Sequence, residues 1–369
     1  MRPLALAVLA VALAQGQTAP TLKDAYKGIF RIGAALNPAQ FEERDPRGNP
    51  IIAAHFNTIS PENALKWQSV HPRPGPGGYD FAAADRYVAF GEKHKMFIVG
   101  HCLIWHSQVP RWVFQNDRGE ALSRDALLER MRDHILTVAG RYKGRIDGWD
   151  VVNEALNEDG TLRQTPWLRI IGEDYLVKAF EFAHQADPKA ELYYNDYSLE
   201  NPAKRKGAVA LLGKLKAAGA PVRGIGLQGH NRMDSPTVQQ EAETIEAFAA
   251  LGLRVHITEL DVDVLPRMNR QNTADVSATA AATAGSNPYT AGLPEEIEQA
   301  LAKRYEELFG VFLKYRKVID RVTFWGVTDG DSWLNGFPTR GRTNYPLLFD
   351  REGKPKPAFR AVVDKAKMK

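Results

Sequence analysis

Two short acidic segments carry the residue types that break bonds. One runs Trp149-Asp150-Val151-Val152-Asn153-Glu154, and the other Thr258-Glu259-Leu260-Asp261. Two carboxyl groups can divide acid–base work between them, one giving a proton while the other stays ionised. Taken alone, a Glu is more often a salt-bridge partner, so the company these two keep matters. Around them in sequence stand amides (Asn63, Asn153, Asn195, Gln228), histidines (His101, His230), a lysine (Lys66) and indoles (Trp105, Trp325, Trp333). Hydroxyls in the plane of a sugar ring suit the amides, imidazoles and ammonium, and the C–H faces of the ring suit the indoles. Two carboxyl groups then suffice for glycosidic cleavage, one protonating the leaving oxygen and one attacking the anomeric carbon.

These residues share one property of placement. Eight short, nearly continuous apolar runs read as strands buried on both faces: Phe30–Leu36, His55–Ser60, Met96–His101, Ile146–Asn153, Glu191–Asp196, Gly224–His230, Arg254–Leu260 and Arg321–Thr328. Helical stretches alternate with them. Ser123 is placed to cap Arg124–Arg141, Asn201-Pro202 opens a helix running to Lys216, and Pro294 opens Glu295–Arg316. Eight strand–helix alternations predict a single-domain α/β fold, a (β/α)8 TIM barrel over residues 20–369. A doubly wound open sheet is the alternative. It calls for a Gly-rich phosphate loop after the first strand, where Asn37-Pro38-Ala39-Gln40 stands instead. In such a barrel the chemistry lies at the C-terminal ends of the strands, and every residue named above falls at or just after one.

Seven blocks resemble glycoside hydrolase family ten, in the family's order. They are PENALKW (61–67), GHCLIWHSQ (100–108), WDVVNEAL (149–156), YNDYSLE (194–200), GLQGH (226–230), ITELDV (257–262) and FWGVTD (324–329). The resemblance runs from about Tyr26 to Phe359. It implies a retaining endo-1,4-β-xylanase acting on xylan and xylo-oligosaccharides, without cofactor or metal. A monomer is a separate expectation. The resemblance assigns Glu154 as general acid/base, Glu259 as nucleophile and Asp261 as a supporting carboxylate. Asn153 would hold the sugar's 2-hydroxyl. Glu62, Asn63, Lys66, His101 and Trp105 would build the non-reducing side. Gln228 and His230 would sit between the carboxylates, Trp325 and Trp333 would wall the sugar, and Asn195 and Tyr197 would lie toward the leaving group. To act as an acid, Glu154 must hold its proton near neutral pH, while Glu259 must stay ionised.

Other classes fit less well. Of 369 residues 48 are basic and 44 acidic, with no Lys/Arg cluster dense enough to track nucleic acid. A metal-dependent hydrolase using His101, His230, Asp196 and Glu259 would want a His-x-His pair on the first strand, which has no histidine. A binding protein without catalysis would not need both glutamates. Cys102, the single cysteine, lies in an apolar run and reads as a buried small hydrophobe. Trp67 fits core packing as well as binding. Gln271–Gly292 reads as a long loop able to gate the cleft, and Arg340 and Arg342 as a basic pair able to meet acidic substituents on xylan. Residues 1–19 read as a signal peptide and short tail: Met1-Arg2-Pro3, an apolar run Leu4–Leu13, and cleavage after Ala14. That run is too short to span ~30 Å of hydrocarbon, so export to the periplasm or medium is expected, with no membrane span.

Overall fold

The computed structural model describes residues 20–266 and 280–368; the expected signal peptide lies outside them. Eight parallel strands close on themselves: β1 (Arg31–Leu36), β2 (Thr58–Pro61), β3 (Phe97–Ile104), β4 (Gly148–Asn153), β5 (Glu191–Asp196), β6 (Gly224–Leu227), β7 (Arg254–Asp263) and β8 (Ile319–Phe324). Closure comes from β8 pairing with β1 (Arg321 opposite Arg31) and with β7 (Val322 opposite Ile257). Helices follow the strands and cover the outside, so the molecule is the expected (β/α)8 barrel. Nearly every strand residue is buried, which explains why the strands read as continuous rather than alternating apolar runs. Among the described residues, no helix is long and apolar enough to cross a membrane.

Local chemistry starts the helices as the sequence indicates. Ser123 accepts a hydrogen bond from the Ala126 amide ahead of Arg124–Arg141, and Asn201 does the same for Ala203 ahead of Pro202–Ala217. Several strand ends shift: β8 stops at Phe324 rather than Thr328, and β3 and β7 run on to Ile104 and Asp263. Two further differences have a local cause. His55 ends a helix, Gly48–His55, whose last turn is closed by the Phe56 amide donating to Ile52 O. Ile51 and Ile52 are buried in that helix, and β2 begins only at Thr58. The sixth run breaks after Leu227. Gly229 takes φ 76°, a region open to glycine, and the chain then forms a short strand, His230–Arg232, beside the end of β7. That turn aims His230 across at Glu259.

The barrel interior is filled with large polar side chains. Arg321 and His256 are 1% exposed, and the Arg321 guanidinium lies 4.7 Å from the centre of the Tyr193 ring. Glycines opposite make the room. A Cβ on Gly148 would fall 2.5 Å from the Tyr193 hydroxyl, on Gly224 2.8 Å from His256 Nε2, and on Gly226 2.1 Å from Asn195 Oδ1. Gly226→Ala should therefore push Asn195 aside and overpack the interior, at a cost of about 1–3 kcal/mol, read as a lower urea midpoint together with lost activity.

Candidate active site

The sequence-selected residues converge at the C-terminal mouth of the barrel. Glu154, just past β4, is 8% exposed; Glu259, on β7, is 5% exposed. They are joined by amides. Gln228 Nε2 donates to Glu154 Oε1 (2.9 Å) and lies 3.4 Å from Asn153 Oδ1. Asn195 Nδ2 donates to that same Asn153 Oδ1 (2.9 Å) and to Glu259 Oε1 (2.8 Å). The Asn195 amide is oriented from behind, where Thr258 Oγ1 donates to its Oδ1 at 2.7 Å. With its oxygen taken by two donors, Asn153 presents its own NH2 elsewhere, as a group that binds a sugar hydroxyl would need.

The remaining oxygens have different partners. Trp105 Nε1 donates to Glu154 Oε2 at 2.8 Å. Glu259 Oε2 faces His230 Nε2 at 3.2 Å, and His230 Nδ1 faces Asp261 Oδ1 at 3.1 Å. β7 continues past Glu259 to Asp263, so Glu259 and Asp261 share a face and grip one imidazole between them. Trp333 Nε1 completes the row by donating to Asp261 Oδ2 at 2.7 Å. Burial alone would depress the His230 imidazole. The charge and hydrogen bond of Asp261, followed by those of Glu259, outweigh it and push the group up to about 10. Burial likewise would raise Glu259, but the His230 hydrogen bond, the charges of His101 and His230 and the Asn195 hydrogen bond together hold its carboxyl below the usual range. An imidazolium donating from both nitrogens therefore keeps Glu259 ionised.

The side where β2 and β3 end is polar, with Lys66 and His101 buried and Asn63 exposed. Lys66 Nζ donates to Asn63 Oδ1 (3.0 Å) and lies 4.9 Å from the centre of the Trp105 ring. Burial lowers the Lys66 ammonium, opposed by Glu259, Glu154 and Glu62 nearby. Burial, then the charge of Asp331, pushes Glu62 up to about 7 against the pull of Lys66. His101 Nδ1 faces Asp150 Oδ2 at 3.0 Å, and its ring meets Trp325 edge-on at 5.4 Å. Trp333 lies 4.7 Å from the His230 ring. Two indoles thus flank the His101–Glu259–His230 floor, an arrangement suited to a sugar ring.

Glu154 itself is unusual in backbone. Its φ is 56°, the left-handed region, which costs a residue with a side chain of order 1–3 kcal/mol. Partners that sequence reasoning missed hold it there. The Glu154 amide donates to Asn195 O (2.8 Å), Arg163 Nε donates to Glu154 O (3.2 Å), and the Ala155 amide donates to the Tyr194 hydroxyl (3.1 Å). Asp150, four residues before Glu154 within the same block, is a further site residue without a sequence signal of its role, as the partner of His101. Tyr197 meets Arg163 through its hydroxyl (3.1 Å), and its ring lies 3.4 Å from Lys204 Nζ.

The family model for glycosyl hydrolase family 10 matches residues 21–365. The chain belongs to that family. It is 45% identical over 360 residues to endo-1,4-beta-xylanase A of Xylanibacter ruminicola, covering 98% of this chain and 97% of that protein. It is 40% identical to the endo-1,4-beta-xylanase of Geobacillus stearothermophilus, covering 94% and 98%. Among solved structures, a GH10 endoxylanase retrieved from sugarcane soil metagenome superposes with a TM-score of 0.88 at 49% identity, covering 94% of this chain and 99% of the other.

Other expectations resolve on packing. Trp67 is 2% exposed and stacks on His134 at 3.5 Å, so it belongs to the core. Cys102 is 2% exposed, and burial drives its thiol well above the ordinary range. Arg342 is buried and paired with Asp263 at 3.3 Å, which leaves Arg340 as the exposed member of the expected basic pair. Of the Gln271–Gly292 loop, residues 271–279 lie outside the described set. The rest is fastened to 339–345, with Ala280–Ala281 pairing Thr339–Arg340 and the Tyr345 hydroxyl donating to Tyr289 O. The metal alternative would need Asp196 beside His101, His230 and Glu259. Instead Asp196 is fully buried against Lys204 (3.0 Å) and the Tyr194 hydroxyl (2.5 Å).

The clamp on His230 has a pH signature. The imidazole's folded value lies above its ordinary 6.5, so the stability it contributes is complete below about pH 6.5 and is lost as pH rises through about 10. Thermal melts should show wild type losing more stability than His230→Gln between pH 6.5 and 10. Parallel curves would remove the charged clamp.

Proposed function

We propose that this protein is an endo-1,4-β-xylanase that hydrolyses internal β-1,4-xylosidic bonds of xylan and xylo-oligosaccharides, with retention of anomeric configuration. It acts as a monomer exported to the periplasm or medium. Family membership and the endo-1,4-beta-xylanase relatives support the substrate. The observation that carries the division of roles is the different set of partners around the two carboxyl groups: His230 and Asn195 hold Glu259 ionised, whereas Glu154 meets only neutral N–H donors, from Trp105 and Gln228.

In the first step Glu259 attacks the anomeric carbon as the glycosidic C–O bond breaks, and Glu154 delivers its proton to the departing oxygen. The glycosyl–Glu259 ester forms and the carboxylate charge is lost. In the second step Glu154, now ionised, takes a proton from water. The hydroxyl attacks the anomeric carbon, the ester bond breaks, and Glu259 regains its charge while Glu154 regains its proton. Asn153 meets the sugar 2-hydroxyl, and Glu62, Asn63, Lys66, His101 and Trp105 hold the sugars on the non-reducing side. Gln228 and His230 keep the carboxyls in place, Asp261 steadies His230, and Trp325 and Trp333 wall the ring. Asn195 and Tyr197 stand on the side of the leaving group.

Glu154→Ala should lower kcat on xylan by about 10²–10⁴-fold, the range of general acid–base catalysis; an unchanged rate would remove it from the mechanism. Proton NMR of the first-formed product should show the β anomer, and an α product would contradict the two-step route. Reducing-sugar release should also persist in chelator.

A further inference from the structure

The acid/base glutamate holds a left-handed backbone, and part of the clamp that keeps it there comes from a distance. After Glu154 the chain runs out along a hairpin, with Leu156 bridging Leu162 and the Asn157 amide donating to Thr161 O. The return arm brings Arg163 back against the start. Its amide donates to Ala155 O at 2.8 Å. Its guanidinium then reaches three acceptors: Glu154 O through Nε (3.2 Å), and Leu156 O (2.8 Å) and the Tyr197 hydroxyl (3.1 Å) through Nη2. Arg163 is half-buried, and two of these acceptors are the carbonyls of the left-handed residue itself and of the second residue beyond it. Tyr197 is itself fixed by Lys204 against its ring, and Lys204 by the buried Asp196. A planar guanidinium with its donors in a fixed fork suits such a task; an ammonium can make only part of it.

We propose that Arg163 is a positioning residue for the acid/base. By fixing the Glu154 carbonyl and the turn beyond it, Arg163 keeps the Glu154 carboxyl aimed at the leaving oxygen. This rests on the reading of Glu154 as general acid. Arg163 touches the backbone of the turn and leaves both carboxyl oxygens to Trp105 and Gln228, so its loss misaligns proton delivery without altering Glu259.

The consequence is specific to leaving groups. A departing sugar hydroxyl needs the proton; a dinitrophenolate does not. The test compares kcat/KM, which reads the glycosylation step, for xylotetraose and for 2,4-dinitrophenyl xylobioside. The variants are Arg163→Ala, Arg163→Lys and Glu154→Ala. Arg163→Ala should lose about 10–100-fold on xylotetraose, a part of the general-acid effect, and less than about threefold on the activated substrate. Arg163→Lys should recover part of the loss. Equal losses on both substrates, for Ala and Lys alike, would overturn the proposal, because a merely structural role damages both reactions together. If Arg163→Ala does not fold, the Lys variant decides by the same ratio. Glu154→Ala separates the two claims: if it shows no leaving-group dependence, the general-acid reading fails, whatever Arg163 does.

Discussion

Everything at this mouth hangs on a short chain of amide hydrogen bonds, Gln228 to Asn153 to Asn195, that ties Glu154 to Glu259. Four strands contribute to it: Asn153 ends β4, Asn195 lies on β5, Gln228 follows β6 and Glu259 lies on β7. Parallel pairing sets Asn153 opposite Asn195 and Asn195 opposite Gly226. The strand register therefore decides whether the carboxyl groups face one another in working order. A slip of one residue would turn each of these side chains to the other face of its strand. Neutral amides are well chosen for this link, because they fix geometry without adding charge between two groups that must differ in protonation.

The barrel beneath supports the chain by an uncommon filling. Below the mouth stand Arg321, His256, Tyr193 and Asp150, rather than layers of branched aliphatics, and glycines on the facing strands give them room. Apolar packing lies outside the sheet, between strands and helices. The interior therefore holds charge close to the site. Asp150 holds the His101 ring, and His101 in turn bears on Glu259.

Much of this is legible in the sequence where a property is local. The ends of β4, β5 and β7 fall where apolar runs meet polar residues, and the caps at Ser123 and Asn201 lie next to their helices. The two glutamates fall at strand ends by the apolar runs that precede them. Properties that depend on partners far along the chain were not readable. For Trp67 and Arg342 a binding role stays open until His134 and Asp263 come from far along the chain to meet them in the interior. His55 extends an apolar run, yet it closes a helix, whose last turn is tied by the Phe56 amide donating to Ile52 O. The left-handed turn at Glu154 leaves no trace in its own residue type, since its support comes from Arg163 across a hairpin and Tyr194 on the next strand. Gly229 is the exception: a glycine between Gln228 and His230 hints at the turn that re-aims the histidine.

The central claim is that two similar buried glutamates do different work because their neighbours differ. It is tested most directly by trapping. A 2-deoxy-2-fluoro xylobioside with a good leaving group, incubated with the wild-type protein, should add one glycosyl mass to the intact chain. Peptide mapping should place that mass on Glu259. Labelling of Glu154, or turnover of the reagent with no covalent adduct at any time, would contradict the account.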